Sequence, residues 1–267
     1  MTSTVLKPGA TGADVIELQR ALAAHNFKPG DLDGLYGPAT VAAVVAFQNS
    51  NGLLADGIAG PRTLFALGLA TDDTLPDSTG SVSVQMVSQM FPATPVRNIK
   101  ANLPPVLEAL VRHTLQDKTM VLVALGTIRA ETEGFVPISE GVSSFNTSPN
   151  QHPFDLYDYR ADLGNQGPPD GQTFCGRGFV QLTGRAHYQE YGPRLSTPVD
   201  LIANPELANR PDIAADLLAL FIGDRQLSIK DALLHGNFQA ARRLVNGGTH
   251  GLDRFVDAYR IGDRLIA

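Results

Sequence analysis

The chain has 267 residues, 43% apolar and 18% charged, with a formal net charge of -6. That length suits two modules with separate cores, and the composition is that of an ordinary globular protein rather than a disordered or membrane-embedded one. The acidic balance supplies no concentrated basic surface for phosphate backbones, so nucleic acid is excluded as an expected partner, and a single cysteine, Cys175, excludes intrachain disulfides and multi-cysteine zinc sites.

Met1 to Val5 lack the positive start and apolar segment of a secretory signal, so the product is expected to begin in the cytoplasm. Val15, Leu18 and Leu22 recur at helical spacing, and Asp33-Gly34-Leu35-Tyr36-Gly37-Pro38-Ala39-Thr40 then returns as Asp56-Gly57-Ile58-Ala59-Gly60-Pro61-Arg62-Thr63. In this D-G-x-x-G-P-x-T frame, Asp-Gly makes a turn, and Pro in a first helical turn sacrifices no hydrogen bond. Each copy is therefore expected to launch a helix, the first carrying Val41, Val44, Val45 and Phe47, the second Leu64, Phe65 and Leu67. Residues 1–70 read as a three-helix module. Residues 71–86, rich in Asp, Ser and Thr, read as a flexible linker, and 87–267 as a mostly helical domain with long Gly/Pro/Asn-rich loops. The fold class expected is mainly α.

The longest apolar run, Met120 to Leu125 with Ile128 beyond it, is too short to span a bilayer, so no membrane insertion is expected. Val121, Ala124, Leu125 and Ile128 form a helical stripe whose period brings Glu131 beside the buried face as the helix ends. Greasy surroundings there would suit a proton donor. Gly134 and Pro137 mark the exit from the helix. Glu140 follows on a loop with Gly141, Ser143, Ser144 and Asn146, a solvated setting that suits a carboxylate activating water. Glu133 lies on another face and reads as a helix-end charge. The spacing of Glu131 and Glu140 along the chain leaves open whether their separation fits inversion or retention.

Gly176 to Tyr188, GRGFVQLTGRAHY, reads as extended, with Arg177, Phe179, Gln181, Thr183 and Arg185 on one side and Val180, Leu182 and Ala186 on the other. Gly176, Gly178 and Gly184 would let a large polar ligand approach the backbone. With the acidic pair upstream, this suggests a carbohydrate-cleaving site.

Two resemblances sharpen these expectations. Leu6, Gly9, Gly12, Val15, Leu18 and Gln19, then Asp33 to Thr40 and Phe47-Gln48, resemble the peptidoglycan-binding domain of cell-wall hydrolases. Ala130-Glu131-Thr132-Glu133-Gly134-Phe135, Glu140, the run Gly176 to Arg185, and Val245-Asn246-Gly247-Gly248 resemble glycoside hydrolase family 19 and its phage-endolysin relatives. The second resemblance implies a lysozyme-like helical fold, with Glu131 as general acid, Glu140 as base, and Thr183 helping to hold the attacking water. It also implies that Gln181 contacts sugar and that Asn246 lines the cleft. Arg177 and Arg185 either bind substrate or pair with Glu140 or other carboxylates. Ala130 stands where a His often precedes the acid, and Glu133 where Gly is common, which puts the tuning of the acid in doubt.

The function expected is a modular endolysin-type peptidoglycan hydrolase, a muramidase acting by inverting hydrolysis as a monomer, without cofactor or metal. It would reach the wall by phage lysis or specialised export. A chitinase, or a wall-binding lectin without activity, is the alternative. A thiol peptidase would need Cys175 with a histidine such as His187, and a zinc amidase would need clustered histidines, whereas His25, His113, His152, His187, His235 and His250 are scattered.

Overall fold

A computed structural model describes residues 5–70 and 76–266. The chain divides into two compact units, Met1–Asp77 with Lys230–Gly236 and Ser78–Ile229 with Asn237–Ala267. Both are built mainly from helices.

The first unit contains α1 (Ala13–Ala24), α2 (Pro38–Ser50) and α3 (Pro61–Ala66). Each D-G-x-x-G-P-x-T copy does launch a helix, with Gly37 and Gly60 as N-caps and Pro38 and Pro61 in the first turn. Val15, Leu18 and Leu22 of α1 meet Val44 and Phe47 of α2 in the core, with Leu64 and Leu67, whereas Phe65 is half exposed.

A buried glutamine pins each turn. Gln19 Nε2 donates to Asp33 Oδ1 (3.0 Å), Leu35 O and Thr40 Oγ1, while its Oε1 accepts from the Gly34 N–H. Gln48 repeats the pattern, donating to Asp56 Oδ1 (2.7 Å), Ile58 O and Thr63 Oγ1 and accepting from the Gly57 N–H. The Asp and Thr of the repeat thus serve as ends of a hydrogen-bond plug that satisfies otherwise orphaned polar groups. Gly34 and Gly57 have φ of 72° and 67°, which favours glycine.

Of the stretch 71–86, residues 71–75 lie outside the described residues. From Ser78 onward the chain is folded: the Ser78 N–H donates to Gln116 O (2.9 Å), and Ser83 caps α4 (Val84–Met90) by accepting from the Met86 N–H.

In the second unit α5 (Val96–Arg112) precedes α6 (Lys118–Glu131), capped by Asp117. The expected stripe of α6 widens to the full circumference: every residue from Met120 to Ala130 is buried. A helix buried all round is a core element, and α6 becomes one because neighbours approach it closely. A Cβ on Gly126 would stand 2.9 Å from the Phe255 ring, and one on Gly262 2.5 Å from Leu122, both contacts being between α6 and α12 (Leu252–Leu265), the last helix.

Leaving α6, Glu133 and Phe135 adopt left-handed φ of 42° and 53°, which costs on the order of 1–3 kcal/mol per residue. Side chains hold that path: Thr94 donates to Glu133 O, Asn98 to Gly134 O (2.9 Å) and Asn102 to Phe135 O (3.0 Å). The Phe135 ring is buried edge-on between Phe91 and Phe179. The chain then forms β1 (Ile138–Ser139), α7 (Asp170–Thr173) and β2 (Arg177–Gly178), with β1 and β2 antiparallel in the register Ile138↔Gly178 and Ser139↔Arg177. The remaining helices are α8 (Arg185–Tyr191), α9 (Pro211–Gly223), α10 (Gln226–Leu234) and α11 (Phe238–Asn246).

The extended reading of Gly176 to Tyr188 is corrected. Only Arg177 and Gly178 form strand, the chain reverses so that Arg177 bridges Leu182, and α8 has begun by Arg185. Gly178 and Gln181, with φ of 79° and 52°, make that reversal. Phe179 and Val180 consequently share burial instead of facing opposite ways. Among the described residues no helix is long and apolar enough to cross a membrane.

Candidate active site

Glu131 is the last residue of α6, and its side chain is 10% exposed. Its surroundings are not wholly apolar as the stripe implied. Arg242, fully buried on α11, donates from Nη2 to Glu131 Oε1 at 2.6 Å and from Nε to His250 O at 2.9 Å, while Nη1 has no partner among the described residues. A buried guanidinium needs acceptors for its N–H groups, and this contact ties α11 to the end of α6. Gly251 is part of the same junction: with φ of 68°, it sits where a Cβ would meet Ala130 O at 2.8 Å. Only Oε1 of Glu131 is engaged among the described residues.

Glu140 follows β1, and its N–H continues the ladder by donating to Gly176 O (2.7 Å). Its carboxylate is held from both sides. Oε1 accepts from Asn146 Nδ2 and Tyr157 Oη, each at 2.9 Å, and Oε2 accepts a longer bond from the Gly176 N–H at 3.2 Å. Asn146 is fully buried and also donates to Gly141 O and accepts from the Ser143 N–H, so the solvated loop expected here is pinned by one side chain. Burial, followed by its bond to Glu140, pushes the Tyr157 hydroxyl up to about 12, which keeps it a donor across the neutral range.

Gln181 Nε2 donates to Ile138 O and Gly178 O, both at 3.0 Å, and Thr183 Oγ1 donates to Gln181 O at 2.8 Å. Asn246, at the end of α11, accepts from the Gly248 N–H through Oδ1 and so organises the N-G-G turn beyond Arg242.

Of the two roles open to Arg177 and Arg185, the structure shows internal pairing. Arg177 is buried, donating to Thr173 O (2.8 Å), Cys175 O and the Tyr188 hydroxyl, with Glu206 at 3.8 Å. Arg185 makes a two-pronged ion pair with Asp170, at 2.7 Å from Nε and 2.5 Å from Nη2, and lies over the Phe174 ring. That pair holds the Asp170 carboxyl below the usual carboxylate range. Neither arginine touches Glu140; both use their donors to fasten loops of the unit.

Glu133 takes the helix-end role expected of it, between Arg129 (2.6 Å) and Arg254 (3.1 Å), and Arg129 foremost lowers its pKa. Cys175 is buried, which raises its thiol pKa, and His187 Nδ1 faces Thr183 O at 2.7 Å, so no thiolate–imidazole pair is assembled. Arg242, Asn146 and Tyr157 are the site residues that motif spacing missed. For Arg242 the available signal was its position one turn before Asn246 on a helix leading into N-G-G.

Known proteins resemble different parts of the chain. Residues 11–67 match the family described as "Putative peptidoglycan binding domain". A zinc D-Ala-D-Ala carboxypeptidase of Streptomyces albus G is 29% identical over 199 residues, 68% of this chain and 71% of its own length. A spore cortex-lytic enzyme of Bacillus cereus is 43% identical over 70 residues, 26% of this chain, and the match spans only 27% of that enzyme. A crystal structure of a bacterial family 19 chitinase, 23% identical, overlays with a TM-score of 0.50 across 69% of this chain and 95% of its own. The chain therefore has a peptidoglycan-binding-like helical module followed by a mostly helical unit with the fold of that chitinase. Among the described residues no group of three or more His, Cys, Asp or Glu side chains is placed to hold a metal ion, so the donors for a zinc centre are not assembled there.

Proposed function

We propose that the chain is a modular peptidoglycan hydrolase whose second unit cleaves β-1,4 glycosidic bonds of the glycan strand as a muramidase, by single displacement. The observation that carries this reading is the unequal setting of the two glutamates. Glu140 has three donors around its carboxylate, the arrangement of a fixed anion, whereas Glu131 is anchored through Oε1 alone and has a second oxygen available to carry a proton.

In the proposed reaction Glu131 gives its proton to the glycosidic oxygen as the bond from that oxygen to the anomeric carbon breaks. Glu140 takes a proton from the water that attacks the opposite face of the same carbon. The products are two shorter glycans, one with a fresh reducing end of inverted configuration. The first unit, through its match to peptidoglycan-binding domains, would hold the enzyme on its insoluble target and raise the effective concentration of the second.

Mass spectrometry of digested peptidoglycan tests the bond cleaved. Reducing N-acetylmuramic acid ends are expected; reducing glucosamine ends would make it a glucosaminidase, and anhydro ends would contradict attack by water. Chitin oligomers belong in the same experiment, because the fold shared with a family 19 chitinase favours N-acetylglucosamine polymers as the second reading.

A further inference from the structure

We propose that the side-chain amide oxygen of Gln181, together with Oε2 of Glu140, holds the attacking water over Gly176. This deepens the acid/base reading above and rests on it; the resemblance alone had given that water to Thr183 and a sugar contact to Gln181.

Three observations converge. Both hydrogens of the Gln181 amide are committed, to Ile138 O and Gly178 O, which fixes which end of the amide is oxygen and turns Oε1 away from those carbonyls. Gly176 shows where Oε1 points: a Cβ built there would stand 2.9 Å from Gln181 Oε1 and 3.2 Å from Glu140 Oε2. Two acceptor oxygens from different parts of the chain thus border one spot, and the residue between them is a glycine. Finally, Gln181 holds a left-handed φ of 52°, a conformation costly for a residue with a side chain and characteristic of functional positions.

The hydrogen-bond capacities fit a water molecule. Oε1 of Glu140 already accepts two bonds, whereas Oε2 has only the 3.2 Å bond from Gly176, and Gln181 Oε1 has no donor among the described residues. A water just beyond the missing Cβ can donate one hydrogen to each of Glu140 Oε2 and Gln181 Oε1. Its lone pair is then left free to attack the anomeric carbon. Its first proton passes to Oε2 as the new C–O bond forms and the glycosidic C–O bond breaks, with Glu131 supplying the proton to the departing oxygen. Thr183 acts one step removed: its hydroxyl donates to the Gln181 carbonyl and so steadies the strained residue.

Two variants test this on the glycan oligomer that the wild-type protein cleaves. Gln181→Met keeps length but removes the acceptor, and is expected to lower kcat by about 100-fold while KM stays within about threefold, the pattern of an interaction made in the transition state. Gly176→Ala keeps both oxygens and puts a methyl group between them. Its φ is not left-handed and its nearest contact, at 2.9 Å, is the end of the Gln181 side chain, which must shift slightly to admit the methyl group, and a fall in kcat of at least about 10-fold is expected as the water is displaced. A Gln181→Met protein with unchanged kcat and raised KM would return Gln181 to a sugar contact and overturn the proposal. If that variant does not fold, Gly176→Ala decides, and full kcat in it overturns the proposal. Activity surviving in Glu131→Gln and Glu140→Gln would instead sink the acid/base reading itself, a different result from failure of the water assignment alone.

Discussion

Glu131→Gln is expected to lower glycan cleavage by about 1000-fold while leaving wall binding in place, with a fall in stability because the fully buried Arg242 loses its counter-charge. Gln is nearly isosteric with Glu and keeps a carbonyl oxygen where Arg242 Nη2 now donates at 2.6 Å, so the junction of α11 with the end of α6 retains its hydrogen bond. What disappears is a side chain able to surrender a proton to the glycosidic oxygen at neutral pH. Turnover on a soluble oligomer, binding to purified walls and thermal unfolding together check this. Loss of cleavage with binding retained separates an enzyme from a wall-binding lectin, whose behaviour the substitution would not change. Undiminished cleavage would remove Glu131 from the mechanism.

Arg242→Met should unfold the second unit far more easily. It removes the donors to Glu131 Oε1 and His250 O and leaves a carboxyl that is 10% exposed without its partner. Breaking a buried ion pair on one side costs about 3–5 kcal/mol, which for a unit of this size corresponds to a fall in Tm of roughly 10 °C. The double variant Arg242→Met with Glu131→Gln should recover part of that loss, because no charge is then stranded. Equal destabilisation of single and double variants would show that Arg242 matters through packing alone.

How far the fold could be read in advance tracks how local each signal is. The D-G-x-x-G-P-x-T copies announced their helices because turn and cap chemistry is settled within a few residues. The plugs formed by Gln19 and Gln48 depend on a helix meeting a turn elsewhere in the chain, which turn spacing does not encode. The apolar stripe on α6 was legible, but its burial on every side required α12 to close over Gly126. In the run from Gly176 to Arg185, alternation of large and polar residues suited an extended strand. The left-handed Gly178 and Gln181 instead fold it into a reversal that buries Phe179 and Val180 together.

The candidate site divides in the same way. Glu131 and Glu140 stood out by their places at a helix end and on the loop after it. Arg242 meets Glu131 across a separation of 111 residues, so only the packing of α11 reveals it. Asn146 lay in view as one of several loop polar residues, and the fold selects it by burying it completely against Glu140. For Arg177 and Arg185 the sequence left substrate binding and pairing with carboxylates open. Here the partners are internal, Asp170 for one and backbone carbonyls with Tyr188 for the other.

Direct attack of water opposite the leaving oxygen fixes the stereochemistry of the first product, and that is what proton NMR of the freshly formed reducing end reads within the first turnovers, before mutarotation. The α-anomer released from a β-1,4 link is the result predicted by an acid at Glu131 and a base at Glu140. A β-anomer as first product would contradict it, since retention requires a second displacement.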